Sequence, residues 1–305
     1  MQNNQGSEEV TRQLAGISQI LHSIAEEATA EVRNRIAEAT TILSGLTCPP
    51  GRTCIQQTPD VDDSLAMLTP IETLPTPSTA VTKEFKLSDF SNVEIDCPFV
   101  FEIAAGNSFR VAITASEELF DYVKVCTSGD TLKLSLKPVR FTTLPILHAR
   151  IVMPSLNRLR QGAASKGIAT GFNSHDTLDL YLSGASALDM SCQAGDARIE
   201  VSGASRISGD LNARNVDLVL SGASRAALKG LCNSLSLSAW GAVDVELSNF
   251  TAEDGIVYLK GASQAAVCVS GCLDVDLTGA SRLKYLGTPE IREVNLSGAS
   301  LLGRI

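Results

Sequence analysis

Histidine is nearly missing from this chain, and so is any excess of positive charge. Only His22, His148 and His175 occur, in separate segments and without metal-ligand spacing, so core, turn or surface roles outweigh catalytic ones. Lys and Arg total 25 against 34 Asp and Glu, a formal charge of −9. The imbalance is uneven: residues 1–82 carry 10 acids and 4 bases, and residues 83–305 carry 24 and 21. A surface of this sign argues against a nucleic-acid partner. No apolar run reaches the roughly 18 residues that a membrane-spanning helix requires. The start, Met1-Gln2-Asn3-Asn4-Gln5, has neither the basic nor the apolar region of a signal peptide, which fits a cytoplasmic chain or one written without its leader. The phosphate-cradling Gly-x4-Gly-Lys-Ser/Thr loop, the Gly-x-Ser-x-Gly nucleophile elbow and the redox Cys-x2-Cys are all absent. No cofactor and no metal are expected.

What the chain has instead is a repeat. Leu-Ser-Gly-Ala-Ser or a close variant recurs with its glycine at 184, 203, 222, 261, 279 and 298, and degenerate copies stand at Gly162 and Gly241. Successive steps are 22, 19, 19, 19, 20, 18 and 19 residues, the mark of a solenoid. Within one repeat, apolar or small residues fall at 178, 180, 182, 184, 186, 188 and 190 with mostly polar residues between them. Period two means strands with one buried face. Gly184, Gly203, Gly222, Gly241, Gly261, Gly279 and Gly298 are therefore predicted to be tight structural corners between two short strands. A side chain there would collide with the neighbouring rung. The small serine two residues on is predicted to point inward and bond backbone. One such rung cannot bury enough to hold itself, so the rungs must stack. The expected fold is all-β, a parallel β-helix of rungs about 19 residues long.

Four regions are expected along the chain. Residues 1–47 hold an amphipathic helix with Val10, Leu14, Ile17, Leu21, Ile24 and Ala28 at heptad spacing, which then slips. Two readings stay open for it, an oligomerising coiled-coil stalk or a helix lying on the solenoid end or loosely attached. Residues 48–82 form a cysteine loop, with Cys48 and Cys54 a candidate disulfide in an oxidising compartment, followed by a Pro- and Thr-rich linker of extended or disordered character. Of the other cysteines, Cys192 and Cys232 fall in the inward phase and read as small core residues, while Cys268 and Cys272 share a Cys-x3-Cys loop. Residues 83–158 are short strands without Gly-Ala-Ser, a block placed to cap the first rung, with a helical turn capped by Ser116. Residues 159–305 are the repeats. The last rung has little sequence after it, so that end is exposed, covered by the helix, or paired with another copy.

Two features together carry a resemblance. One is the block with Phe90-Ser-Asn-Val93-Glu-Ile95, Phe101-Glu-Ile103, Val111-Ala-Ile113-Thr-Ala115, Leu119-Phe-Asp-Tyr-Val123 and Ile151-Val-Met153-Pro154; the other is the Leu-Ser-Gly-Ala-Ser ladder after it. Over about residues 83–305 the chain resembles the auto-transporter adhesin head domain family, also called the GIN domain or DUF2807. The resemblance implies a β-helix, a cell-surface or secreted setting and an adhesin role, and it supplies no catalytic residues.

Columns counted from the corners hold the candidate chemistry. Five residues before the glycine stand Asp179, Arg198, Asp217, Ser236, Ile256 and Asp274, an interrupted carboxylate row that disfavours paired-carboxylate hydrolysis and a calcium stripe. The residue after each motif reads Lys166, Ala187, Arg206, Arg225, Asp244, Gln264, Arg282 and Leu301. Arg206 and Arg225 are expected one rung apart, either paired with acids or forming an anion or acidic-glycan stripe. Trp240 and Tyr258 are outward aromatics on adjacent rungs and, with the two arginines, make the candidate binding face for a surface glycan or protein. The leading expectation is a non-catalytic, adhesin-like binding module. The alternatives are a purely structural solenoid that forms homo-oligomers through its helix or its end, and, behind both, a polysaccharide-processing enzyme.

Overall fold

A computed structural model of the chain describes residues 80–137 and 147–305. The helix expected within 1–47, the Cys48–Cys54 pair and the linker up to residue 79 lie outside the described residues; Ala80, Val81 and Thr82, expected at the end of the linker, begin a strand. What is described is all-β: 21 strands, one 3-10 turn and no α-helix among the described residues.

Each rung places one strand before the glycine corner and one after it. The strands before the corner pair in parallel with their equivalents one rung away, and so do those after it. Leu180 stands beside Ile199, then Leu218, Leu237, Val257 and Val275, all buried. The ladder repeats about every 4.8 Å along the stacking axis. Within the second strands, Gly209 and Gly230, two residues out of step in register, have φ of +124° and +125°. A Cβ on either would fall about 2 Å from a carbonyl oxygen of the rung before, 1.9 Å at Gly209 and 2.0 Å at Gly230.

The corner explains its own sequence. Gly184, Gly203, Gly222, Gly241, Gly261, Gly279 and Gly298 have φ between +71° and +111°, a region hostile to side chains. The alanine that follows donates its N–H to the glycine carbonyl one rung back, as Ala223 does to Gly203 and Ala242 to Gly222, both at 2.8 Å. The serine turns inward: Ser165, Ser186, Ser205, Ser224, Ser263 and Ser281 are all buried. Most of these hydroxyls donate to the carbonyl three residues back, Ser224 to that of Ser221 at 2.9 Å and Ser281 to that of Thr278 at 2.8 Å. Val243 fills the same inward position in the degenerate rung. One expectation fails here. The glycines are exposed rather than inward, because the left-handed backbone swings the chain out before serine restores the phase. The first corner is also different: Ala163 and Ala164, not Gly162, take left-handed φ of +50° and +61°, since a corner one residue longer needs two such turns.

The leading strands close one end. Strand β1 is Ala80–Phe85, β2 Asn92–Ile95, β3 Val100–Ala105, β4 Arg110–Ser116, β5 Val123–Ser128, β6 Thr131–Leu136 and β7 His148–Met153. Strands β2 and β3 join the parallel ladders, whereas β4 pairs antiparallel with β7 and with β1, and β5 antiparallel with β6. Antiparallel hairpins can turn back on themselves, so they end a parallel stack without a further crossover. Between β4 and β5 the residues Glu117–Asp121 form a 3-10 turn. Ser116 occupies its N-cap with an extended backbone but makes no side-chain cap hydrogen bond, unlike the cap expected of it.

The other end carries no such hairpin among the described residues. Ile291, Val294 and Leu296 are in register with the buried Leu273, Val275 and Leu277, yet are 37%, 43% and 48% exposed.

Candidate functional site

The stacked strands turn every alternate side chain outward, so the surface is a set of straight columns with one residue per rung. Their registers follow the count from the glycine corners, except at the first, where Ala163 stands in the position of the glycine.

The acidic column is neutralised by its own neighbours. Arg158, Asp179, Arg198, Asp217, Ser236, Ile256 and Asp274 succeed one another in register. Arg158 holds Asp179 at 3.0 Å, Arg198 lies 3.9 Å from Asp217, and Arg292 forms a two-pronged pair with Asp274. Hydrolysis by paired carboxylates needs two acids facing one bond with unequal proton affinity. Here an arginine is ion-paired with each acid, so no two acids of the column face each other unpaired. Elsewhere, Arg214 and Asn215 hydrogen-bond to Asp196 and hold its carboxyl below the ordinary range. Three of the thiols are shut away from chemistry by burial. Burial pushes Cys97 and Cys232 up to about 12 and Cys192 to about 11, so all three stay protonated. Cys192 and Cys232 are in the core, while Cys268 and Cys272 are half-buried free thiols. Among the described residues no three His, Cys, Asp or Glu side chains gather as metal ligands would.

Arg206 and Arg225 are neighbours in register on the strands after the corner. Arg225 lies 3.8 Å from Asp244 of the next rung, with both side chains largely exposed. Such a pair contributes about 0–1 kcal/mol. Arg206 borders a shallow cleft of about 260 Å³ with Lys166, Ile168 and Asp189.

Trp240 and Tyr258 are on the strands before the corner. Trp240 is in register with Ser221 and Lys260, and Tyr258 with Ser238 and Asp276. Both aromatics are about half exposed, 47% and 50%, on a backbone fully engaged in the ladder. Together with Ser238, Lys260, Asp276 and Thr278 they line an open cleft of about 940 Å³. A second cleft of about 310 Å³ meets it at Trp240 and continues past Ser221, Val219 and Glu200 to Tyr181, Arg160 and Asp96. The Arg160 guanidinium sits 4.9 Å from the centre of the Tyr181 ring, a cation–π distance. Burial, and then Glu94 beside it, raises the Asp96 carboxyl above its ordinary range.

The four residues expected to share a face thus divide into two pairs. The aromatic pair precedes the glycine corner and the arginine pair follows it, and the chain turns between them. Lys260, Asp276, Thr278 and Arg160 escaped the sequence reading. For Lys260, Thr278 and Asp276 the signal was present, because they stand one or three residues before their glycines, in the columns of Trp240 and Tyr258; Arg160 stands two before Gly162 and joins the column only through its register with Tyr181.

The family described as "Putative auto-transporter adhesin, head GIN domain" matches residues 89–289. No curated protein matches the chain. Solved structures do. A putative lipid binding protein from Parabacteroides distasonis is 17% identical, with a TM-score of 0.70 over 74% of this chain and 96% of that one. A putative adhesin from Parabacteroides merdae is 15% identical, with a TM-score of 0.68 over 74% and 96%. A putative adhesin from Bacteroides fragilis is 17% identical, with a TM-score of 0.60 over 75% and 99%. At these identities the likeness is one of fold.

Proposed function

Because the chain belongs to the family of putative auto-transporter adhesin head GIN domains, we propose that it is a non-catalytic, adhesin-like binding module of the cell surface that presents its Trp240–Tyr258 face to a glycan or protein. The observation that carries this reading is a pair of half-exposed aromatic rings over an open cleft, held on a rigid ladder. An exposed aromatic costs solubility unless something covers it, and rings on a rigid frame lose little entropy when they are covered. The acids beside arginines and the protonated buried thiols support a role without bond chemistry. Arg225, shared with Asp244, is less suited to hold an anion than its sequence position promised.

The test uses the whole chain, displayed against glycan arrays and immobilised surface proteins. Binding is expected to fall at least about tenfold in Trp240→Ala, the effect of losing a buried aromatic anchor, and to persist in Arg225→Ala. Retention in Trp240→Ala would place the contact elsewhere.

A second reading has an observation of its own. Ile291, Val294 and Leu296 stand in the inward columns of the last rung with no rung over them among the described residues. Open strand edges invite pairing, so the module also serves as an oligomerising unit through this end. Mass measurement of the whole chain should then show an oligomer that Leu296→Lys dissociates; a monomer at all concentrations would remove the reading.

A further inference from the structure

We propose that the ligand of the Trp240–Tyr258 face is an uncharged linear glycan laid along the stacking axis, with successive sugars over successive rungs. This rests on the reading of that face as the contact surface and names what it contacts.

Shape is the first ground. The two clefts share Trp240 and draw their outward residues from the same two columns. The groove is therefore long in the stacking direction and narrow across it. Tyr181, Glu200, Val219, Ser238, Tyr258 and Asp276 follow one another in register. Five rung steps of about 4.8 Å make about 24 Å, room for an extended oligosaccharide of several units. A ligand with a regular short repeat suits a surface that has one.

The second ground is the lining. Tyr181, Trp240 and Tyr258 offer ring faces, on which the C–H face of a sugar stacks. In the column of Trp240 the outward positions are mostly small and hydroxylated: Ser183, Ser202 and Ser221 lead up to Trp240, and Thr278 lies beyond Lys260. The Ser221 and Ser238 hydroxyls make no hydrogen bond within the described residues, so they remain able to donate to and accept from sugar hydroxyls.

Charge and backbone exclude the competitors. Asp96, Glu200 and Asp276 outnumber Arg160 and Lys260 in the groove, and Arg160 already lies over Tyr181. A uronate chain would find the arginines of this face already engaged, Arg160 by Tyr181, Arg198 by Glu200 and Asp217, and Arg158 by Asp179, while Arg206 and Arg225 are around the corner. An extended peptide binds a sheet through free backbone donors and acceptors at its edge. On this face the backbone groups are spent on the rungs above and below, so a peptide would find no strand to pair with.

The chain has a single tryptophan, Trp240, so its emission reports this site alone. The whole chain is titrated with β-1,4-linked gluco- and manno-oligosaccharides, β-1,3-gluco-oligosaccharides and N-acetylglucosamine oligomers, and with oligogalacturonates of matched length. At least one neutral series should shift and quench the emission. Its affinity should rise about tenfold or more from disaccharide to hexasaccharide, the factor that about 1.4 kcal/mol provides. Tyr258→Ala should weaken that binding by a similar factor, Arg225→Ala should leave it unchanged, and oligogalacturonates should be inert. Silence from every neutral series, or tighter binding of the galacturonates, overturns the proposal. If Trp240→Ala abolishes capture of an immobilised surface protein while every glycan is silent, the contact face stands and the glycan falls. If Trp240→Ala changes capture of no partner, the face falls with it.

Discussion

Replacing Gly222 by alanine should cost about 3 kcal/mol, and the structure separates that figure into two causes. The first is backbone strain. Gly222 has φ +79°, and holding a residue with a side chain in that region costs about 1–2 kcal/mol. The second is the close approach of rungs. The new Cβ would lie 2.7 Å from the Gly203 carbonyl oxygen and 3.2 Å from the Gly203 nitrogen, both backbone atoms that cannot swing aside. That same oxygen accepts the Ala223 N–H at 2.8 Å. Pushing the rungs apart sacrifices this bond, about 0.5–1.5 kcal/mol net. Three controls grade the effect. Gly129, at φ +60° with nothing within 4 Å of an added Cβ, carries the strain alone and should cost about 1–2 kcal/mol. Gly184, whose nearest contact is the Ala163 nitrogen at 3.3 Å, should fall between. Gly303 has open space and no positive φ, and its alanine variant should lie within about 0.5 kcal/mol of the parent. Urea unfolding followed by far-ultraviolet circular dichroism measures all four. If Gly222→Ala costs no more than Gly129→Ala, the rungs do not approach as closely at the corner as this account requires.

Other perturbations probe the core and its chemistry. Ser224→Ala removes a buried hydroxyl bonded to the Ser221 carbonyl at 2.9 Å and should cost about 1 kcal/mol. Ser300→Ala removes the equivalent bond to Ser297 at the exposed end and should cost close to nothing, so equal effects would contradict the assignment of serine to the core. Stability should also fall in alkali. The folded thiols of Cys97 and Cys232 hold their protons to about 12, against 9.0 in an ordinary environment, so only the unfolded chain ionises between those values. The contribution is therefore whole below about pH 9 and is lost as pH rises toward about 12. Cys232→Ala should flatten that slope in urea titrations taken at a series of pH values; an unchanged slope would mean that Cys232 is not shielded.

The repeat was legible because two residue types are constrained by one corner. Glycine is needed where φ is positive, serine where a small donor must turn inward, and their spacing fixes the rung. The registers of Asp179, Arg198 and Asp217 followed from that count alone. What stayed hidden depends on direction rather than order. Counting residues cannot show that the glycine points outward, or that Trp240 and Arg225 diverge because the chain turns between them. Nor could it find the left-handed pair at Ala163 and Ala164, since alanine gives no hint of such a conformation. The positive φ at Gly209 and at Gly230 lacked a repeated motif to announce it. Lys260, Asp276 and Thr278 become part of a site only when the columns are placed side by side.

Every face and cleft described here depends on rungs that sit in register, and disulfide trapping reads that register directly. Asp217 and Ser236 are outward neighbours in adjacent rungs, about 4.8 Å apart and so within disulfide reach. Mild oxidation of Asp217→Cys/Ser236→Cys should form the bridge, seen by peptide mapping, while Asp217→Cys/Ser238→Cys, two residues out of step, should not. A bridge in the second pair and none in the first would contradict the stacking on which the proposed contact face is built.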